Sequence, residues 1–112
     1  KTTMLVSEAM GLQEEIYMTT FQSRFGPAEW LQPYTDKTIE SLAKSGTDHI
    51  HVISPAFSSD CLETIEELNE ENREIFMENG GKEFGYIPCL NDRDDHILLL
   101  TSLIENELHG WV

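Results

Sequence analysis

Apolar positions along the chain switch between two spacings. Leu5, Val6, Ala9 and Met10 recur at helical intervals over residues 4–10 and run into Gly11, a natural left-handed helix stop. Residues 16–21 (Ile-Tyr-Met-Thr-Thr-Phe) are β-branched and aromatic and predict a strand. After a loop holding Gly26, Pro27 and Pro33, Thr35 opens a predicted helix through Ala43, with Ile39, Leu42 and Ala43 on its apolar face and Gly46 beyond its end. His49-Ile50-His51-Val52-Ile53 predicts a second strand. Asp60 is placed to cap a long helix running to about Asn79, stopped by Gly80-Gly81. Residues 84–87 predict a short third strand ended by Pro88. Asn91 or Asp92 then caps a last helix with Ile97, Leu100, Ile104 and Leu108 on one side.

The predicted order is α-β-α-β-α-β-α. Strands separated by helices pair in parallel, with right-handed crossovers. The expected fold is therefore an α/β, three-layer Rossmann-like (flavodoxin-like) sandwich with a parallel sheet. Ligands of such folds bind outside the carboxyl edge of the strands. That edge receives the loops 22–34, 54–59 and 88–91.

Composition narrows the function. The 112 residues carry 7 Lys plus Arg against 21 Asp plus Glu, a net charge of −14, which excludes a general nucleic-acid surface. No apolar run reaches the ~18 residues of a membrane span, and the first residues lack the apolar core of a signal peptide. Only two cysteines, Cys61 and Cys89, are present, too few for a disulfide framework or a four-Cys cluster, so a reducing cytoplasm is expected. Lys1 rather than Met opens the chain, as in a piece of a longer polypeptide.

Two loops at the ligand edge carry the candidate chemistry. Residues 22–33 join Arg24, the aromatics Phe25 and Trp30, and two prolines in a long, stiffened loop. Trp30 suits a flat apolar ligand and Arg24 an anionic group, but a Trp closing the core and a surface Arg fit the pattern as well. In residues 55–68, Asp60 and Glu63 have the spacing of a capping box, which alone explains both. The acids go on, however: Glu63, Glu67, Glu71 and Glu74 fall on one helix face. Each such like-charge pair costs about 0.2–0.5 kcal/mol. The stripe is either a solvated face or a path for a hard, loosely held cation or for protons. His49 and His51 share a strand face, weak evidence for a metal pair.

Taken together, these two segments resemble ferrochelatase, the lyase of heme biosynthesis that inserts ferrous iron into a porphyrin. Q-S-R-F-G-P-A-E-W-L-Q-P-Y-T (22–35) and P-A-F-S-S-D-C-L-E-T (55–64) are similar to two long motifs of that family, in its order and spacing. G-Y-I-P-C-L-N (85–91) is similar to proteobacterial members. The resemblance implies that the chain corresponds to roughly the C-terminal third of such an enzyme, with the family's catalytic His and the other wall of its porphyrin cleft lying upstream. It implies Glu63 as the active-site acid, Asp60 beside it, and Glu67 and Glu71 as a metal or proton path. Gln22, Ser23, Arg24 and Trp30 match the segment beside the macrocycle. Cys61 stands where some members have His. Fe2+ and a porphyrin are the implied substrates, the missing N-terminal domain is the implied partner, and no iron–sulfur cluster is expected. Loss of a central strand would leave a gap in the sheet and favour self-association. A non-catalytic metal- or tetrapyrrole-binding domain is the alternative; a third reading is an interaction module whose acid stripe meets a basic partner.

Overall fold

A computed structural model of the chain describes residues 1–23 and 26–111. Helix α1 (Thr2–Met10) ends at Gly11 in the left-handed region (φ 66°), where the glycine N–H reaches back to Glu8. A single 3-10 turn (Glu14–Ile16) follows. Helix α2 spans Thr35–Lys44, strand β1 His49–Ile53 and strand β2 Glu83–Ile87. Between the strands, a π-helical stretch (Glu63–Glu71) runs straight into α-helical turns (Asn72–Glu78); together they form α3. Helix α4 (Asp94–Glu107) closes the chain.

The sheet described has two strands, paired in parallel from His49 opposite Glu83 to Ile53 opposite Ile87. Mixed α/β architecture with a parallel sheet is therefore what forms, as in a truncated Rossmann-like fold. The expected strand over 16–21 is not there. Its one ladder contact is an isolated bridge between Phe21 and Tyr34, closed by Phe21 N–H to Pro33 O and Thr35 N–H to Phe21 O. β-propensity reflects fit to a pleated surface, and this segment has no neighbouring strand to supply one.

The core lies between one sheet face and the helices α2 and α3. Ile39, Ala43, Phe76 and Phe84 form it, with Ile50, Val52, Ile75 and Tyr86 packed against it. Phe76 is wholly buried and meets Phe84 at 6.2 Å between ring centres. A glycine at 81 makes this possible, since a Cβ there would stand 2.2 Å from the Phe76 ring. Arg73 caps the cluster, its guanidinium 5.1 Å above the Phe84 ring and bonded to the Phe84 carbonyl at 2.6 Å. The other sheet face is open: His49, His51 and Ile53 are exposed along β1. His51 lies over Gly85, and His49 stands 3.6 Å from Glu83.

The apolar side expected for α4 is uncovered, with Ile97, Leu100, Ile104 and Leu108 all exposed; the residue this helix buries is His96. Nor does Asn91 or Asp92 cap it, the position before the helix being Arg93. A radius of gyration of 16.8 Å, against about 13 Å for a compact domain of this length, reflects these unpacked outer helices.

With so small a core, Phe76→Ala should cost about 3–5 kcal/mol, on the order of the whole stability of a small domain. The variant should lose its cooperative urea transition by circular dichroism; an unchanged midpoint would show that the ring is not in a packed core.

Candidate functional site

Because β1 and β2 are parallel, the loops that follow them and the start of α3 share one edge of the sheet. Beside it the segment leaving Phe21 crosses α3. The groove between them, about 430 Å³, is lined by Phe21, Gln22, Ser23, Asp36, Glu63, Glu67, Glu71, Asn72 and Ile75. Gln22 and Ser23 of the first candidate segment thus meet Glu63, Glu67 and Glu71 of α3 in one place.

Along the π-helical stretch Glu63, Glu67 and Glu71 all line the groove. Glu74, in the α-helical turns beyond, is exposed and does not line the groove. Gln22 Nε2 donates to Glu67 Oε2 at 2.9 Å, tying the first loop to the stripe. Ser23 takes a positive φ (69°), a strained setting for a residue with a Cβ.

Glu63 stands apart from the other acids. Its Oε1 is buried with no hydrogen-bond partner, as is Asn72 Nδ2. Desolvation, and then the neighbouring Glu67 charge, push its carboxyl above the ordinary glutamate range. The capping box expected of Asp60 and Glu63 does not form: the Asp60 N–H is taken by Asn91 Oδ1 at 2.8 Å, and the Cys61 N–H by Thr64 Oγ1 at 2.9 Å.

Trp30 neither closes the core nor lines the groove. It is 39% exposed, and its indole N–H donates to the Gln22 carbonyl at 3.1 Å, holding that residue in place. Arg24 lies outside the described residues. Asp60 sits in a separate polar cluster with Tyr86, Cys89 and Asn91. Cys61 is exposed. Among the described residues no three His, Cys, Asp or Glu side chains converge on a metal position, so the acids form a row and not a cage.

Sequence reasoning missed Asn72, 2% exposed in mid-helix, because an Asn among glutamates reads as solvated. It took Asn91 for a helix cap and Tyr86 for an ordinary strand residue. The positive φ of Asn91 (51°) makes it the other non-glycine left-handed residue among those described, and Asn tolerates that region at low cost.

The sequence profile of the ferrochelatase family matches residues 1–108. The chain belongs to the ferrochelatase family. It is 60% identical to a ferrochelatase of Marinobacter nauticus over 99% of this chain and 30% of that protein. It is 56% identical to one of Rhizobium etli over 100% of this chain and 33% of that protein. A ferrochelatase of Rhodopseudomonas palustris is 60% identical over 94% of the chain. The chain thus spans about a third of the length of the curated relatives it matches.

The two acids titrate in opposite senses. Glu63 keeps its proton to higher pH when folded, so unfolding releases a proton in the window above the ordinary carboxylate range, and raising pH through it destabilises the fold. Asp60, whose hydrogen bonds from Asn91 and Tyr86 hold it well below that range, contributes stability that is lost as pH falls. Glu63→Gln should therefore melt higher than wild type at pH 7 and level with it near pH 4. Asp60→Asn should melt lower at pH 7, with the gap closing in acid. Thermal melts across pH 3–8 test both signs.

Proposed function

We propose that this chain supplies the C-terminal wall of a ferrochelatase active site, in an enzyme that inserts Fe2+ into protoporphyrin IX to give protoheme. The observation that carries this reading is the meeting of Gln22 and Ser23 with Glu63, Glu67 and Glu71 in one groove, where Glu63 presents a buried, unpartnered carboxylate oxygen.

Metal insertion replaces two pyrrole N–H protons by one Fe2+ and strips water from the ion. A desolvated carboxylate of raised basicity is suited to receive such protons, and Glu63 is the acid so placed. Glu67 and Glu71 continue the row away from it. Carboxylate oxygens hold ferrous iron loosely enough to give it up, so they pass the substrate ion or the released protons along α3. By the family resemblance, Ser23 and Arg24 belong to the segment that binds the macrocycle; Gln22, held by Trp30 and Glu67, sets the border between the porphyrin and acid sides. The other cleft wall and the family's catalytic His belong to the N-terminal portion, so these 112 residues are inactive alone. The two free cysteines support a reducing, cytoplasmic setting.

A chimera tests the assignment: residues 1–112 replace the matching third of the Marinobacter nauticus protein, and insertion is followed as loss of free-porphyrin fluorescence. The chimera should turn over, and Glu63→Gln should lower kcat about 100-fold or more while remaining folded. Equal rates would reduce Glu63 to a helix-start residue. An inactive chimera that still binds porphyrin would favour a non-catalytic tetrapyrrole-binding domain.

The isolated chain should also self-associate, because the two-stranded sheet has unpaired edges and an open face. Sedimentation should show dimers or larger species growing with concentration; a monomer throughout the millimolar range would contradict this.

A further inference from the structure

Asp60 lies three residues before Glu63, yet it does not line the groove. Both of its oxygens are fully engaged. Oδ1 accepts from Tyr86 OH at 2.7 Å and from Thr64 Oγ1 at 2.9 Å; Oδ2 accepts from Asn91 Nδ2 at 2.8 Å and from Cys89 N–H at 3.2 Å. An ionised carboxylate offers about four lone-pair positions, so none is left for a cation. These donors come from the end of β2, the loop after it and the first turn of α3.

The loop residue Asn91 is itself fixed on every side. Its Oδ1 accepts from Asp60 N–H at 2.8 Å, making the pair reciprocal, and its own N–H donates to Ser58 O at 3.1 Å. Its carbonyl lies 2.7 Å from Nδ1 of the buried His96. A carbonyl only accepts, so Nδ1 carries the hydrogen, and Nε2 of the same ring meets Ser58 Oγ at 3.1 Å. The loops after β1 and β2 are thereby zipped together through Asp60, Asn91 and His96. Thr64 transmits this to the helix. It is wholly buried, follows Glu63 directly, and its Oγ1 also accepts from Cys61 N–H at 2.9 Å. Thr64 Oγ1 thus ties the turn bearing Glu63 both to the Cys61 backbone and to Asp60 Oδ1, and the second bond links that turn to the cluster.

We propose that Asp60 is a positioning residue, clamped by Tyr86, Asn91 and Thr64 so as to fix where Glu63 stands, and that it takes no part in binding the metal. This rests on the ferrochelatase reading above. For Asp60 to hold Fe2+, at least one donor would have to leave, and all four are neutral groups anchored in packed or backbone positions. The same donors hold Asp60 ionised far into acid, so it has no proton to relay near neutral pH.

The test uses the full-length chimera with Tyr86→Phe, Asn91→Gly and Asp60→Asn, alone and combined with Glu63→Gln. Tyr86→Phe keeps the ring in the core, and glycine accepts the left-handed backbone of position 91. Each substitution should lower kcat about 10-fold or more, as expected for a misplaced catalytic group, with KM for Fe2+ within about twofold of wild type. In the Glu63→Gln background the same substitutions should lose most of their effect, because they act through Glu63. A raised KM for Fe2+ with kcat preserved in Asp60→Asn would place Asp60 on the metal path and overturn the proposal. Equal losses in both backgrounds would show that the cluster supports the fold generally, and would overturn it too. Amide hydrogen exchange gives a readout independent of turnover. Residues 61–66 should exchange about 10-fold faster or more in Tyr86→Phe and Asn91→Gly, with α2 and β1 unchanged; unaltered protection of 61–66 would refute the clamp even in a chimera that proved inactive.

Discussion

Parallel pairing of β1 with β2 obliges the chain to leave the sheet at one edge and travel back along its length before it re-enters. Helix α3 is that return. Its last turns bring Phe76 under the sheet against Phe84, which fixes the depth at which the helix sits. Its first turn must then lie at the carboxyl edge, where the loops after both strands also end. The groove follows from this. Glu63 emerges where the helix leaves the edge, and the acids after it are carried along the side that the segment from Phe21 crosses.

The stripe runs against simple helix energetics. Glu63, Glu67 and Glu71 repel one another in a chain already at −14. Most of that charge is solvated and costs little. Glu63 is the exception, having lost water without gaining a hydrogen bond. Gln22 relieves one oxygen of Glu67. The contrast with Asp60 is physical: two carboxylates three residues apart are driven in opposite directions, one by desolvation and a like charge, the other by a full set of donors.

Much of the fold was legible along the chain. Strands β1 and β2, helices α1 and α2 and the glycine stops could be placed from periodicity and turn chemistry, because each is a local preference that the packing did not oppose. The segment 16–21 has the composition of a strand but lies as an extended piece with one bridge, since a strand exists only where another offers its edge. The apolar side of α4 is legible as a pattern, and the structure leaves it exposed. Leucines at helical spacing show what a helix needs to bury, and among the described residues no element covers them.

For the site, residue type and spacing determined that Glu63, Glu67 and Glu71 share a face, and the resemblance to ferrochelatase singled out residues 22–35 and 55–64. The covalent chain fixes which side chains are available and, through helix and strand periods, which of them point together. Only the tertiary structure decided that Gln22 and Ser23 close over that face, that Trp30 braces Gln22, and that Asp60 turns to Tyr86 and Asn91 and away from the groove. The turning of Asp60 depends on donors brought from 26 and 31 residues away along the chain, and the placing of Gln22 on an acceptor 45 residues away. No local propensity encodes such a partner; the sheet register and the return of α3 set it.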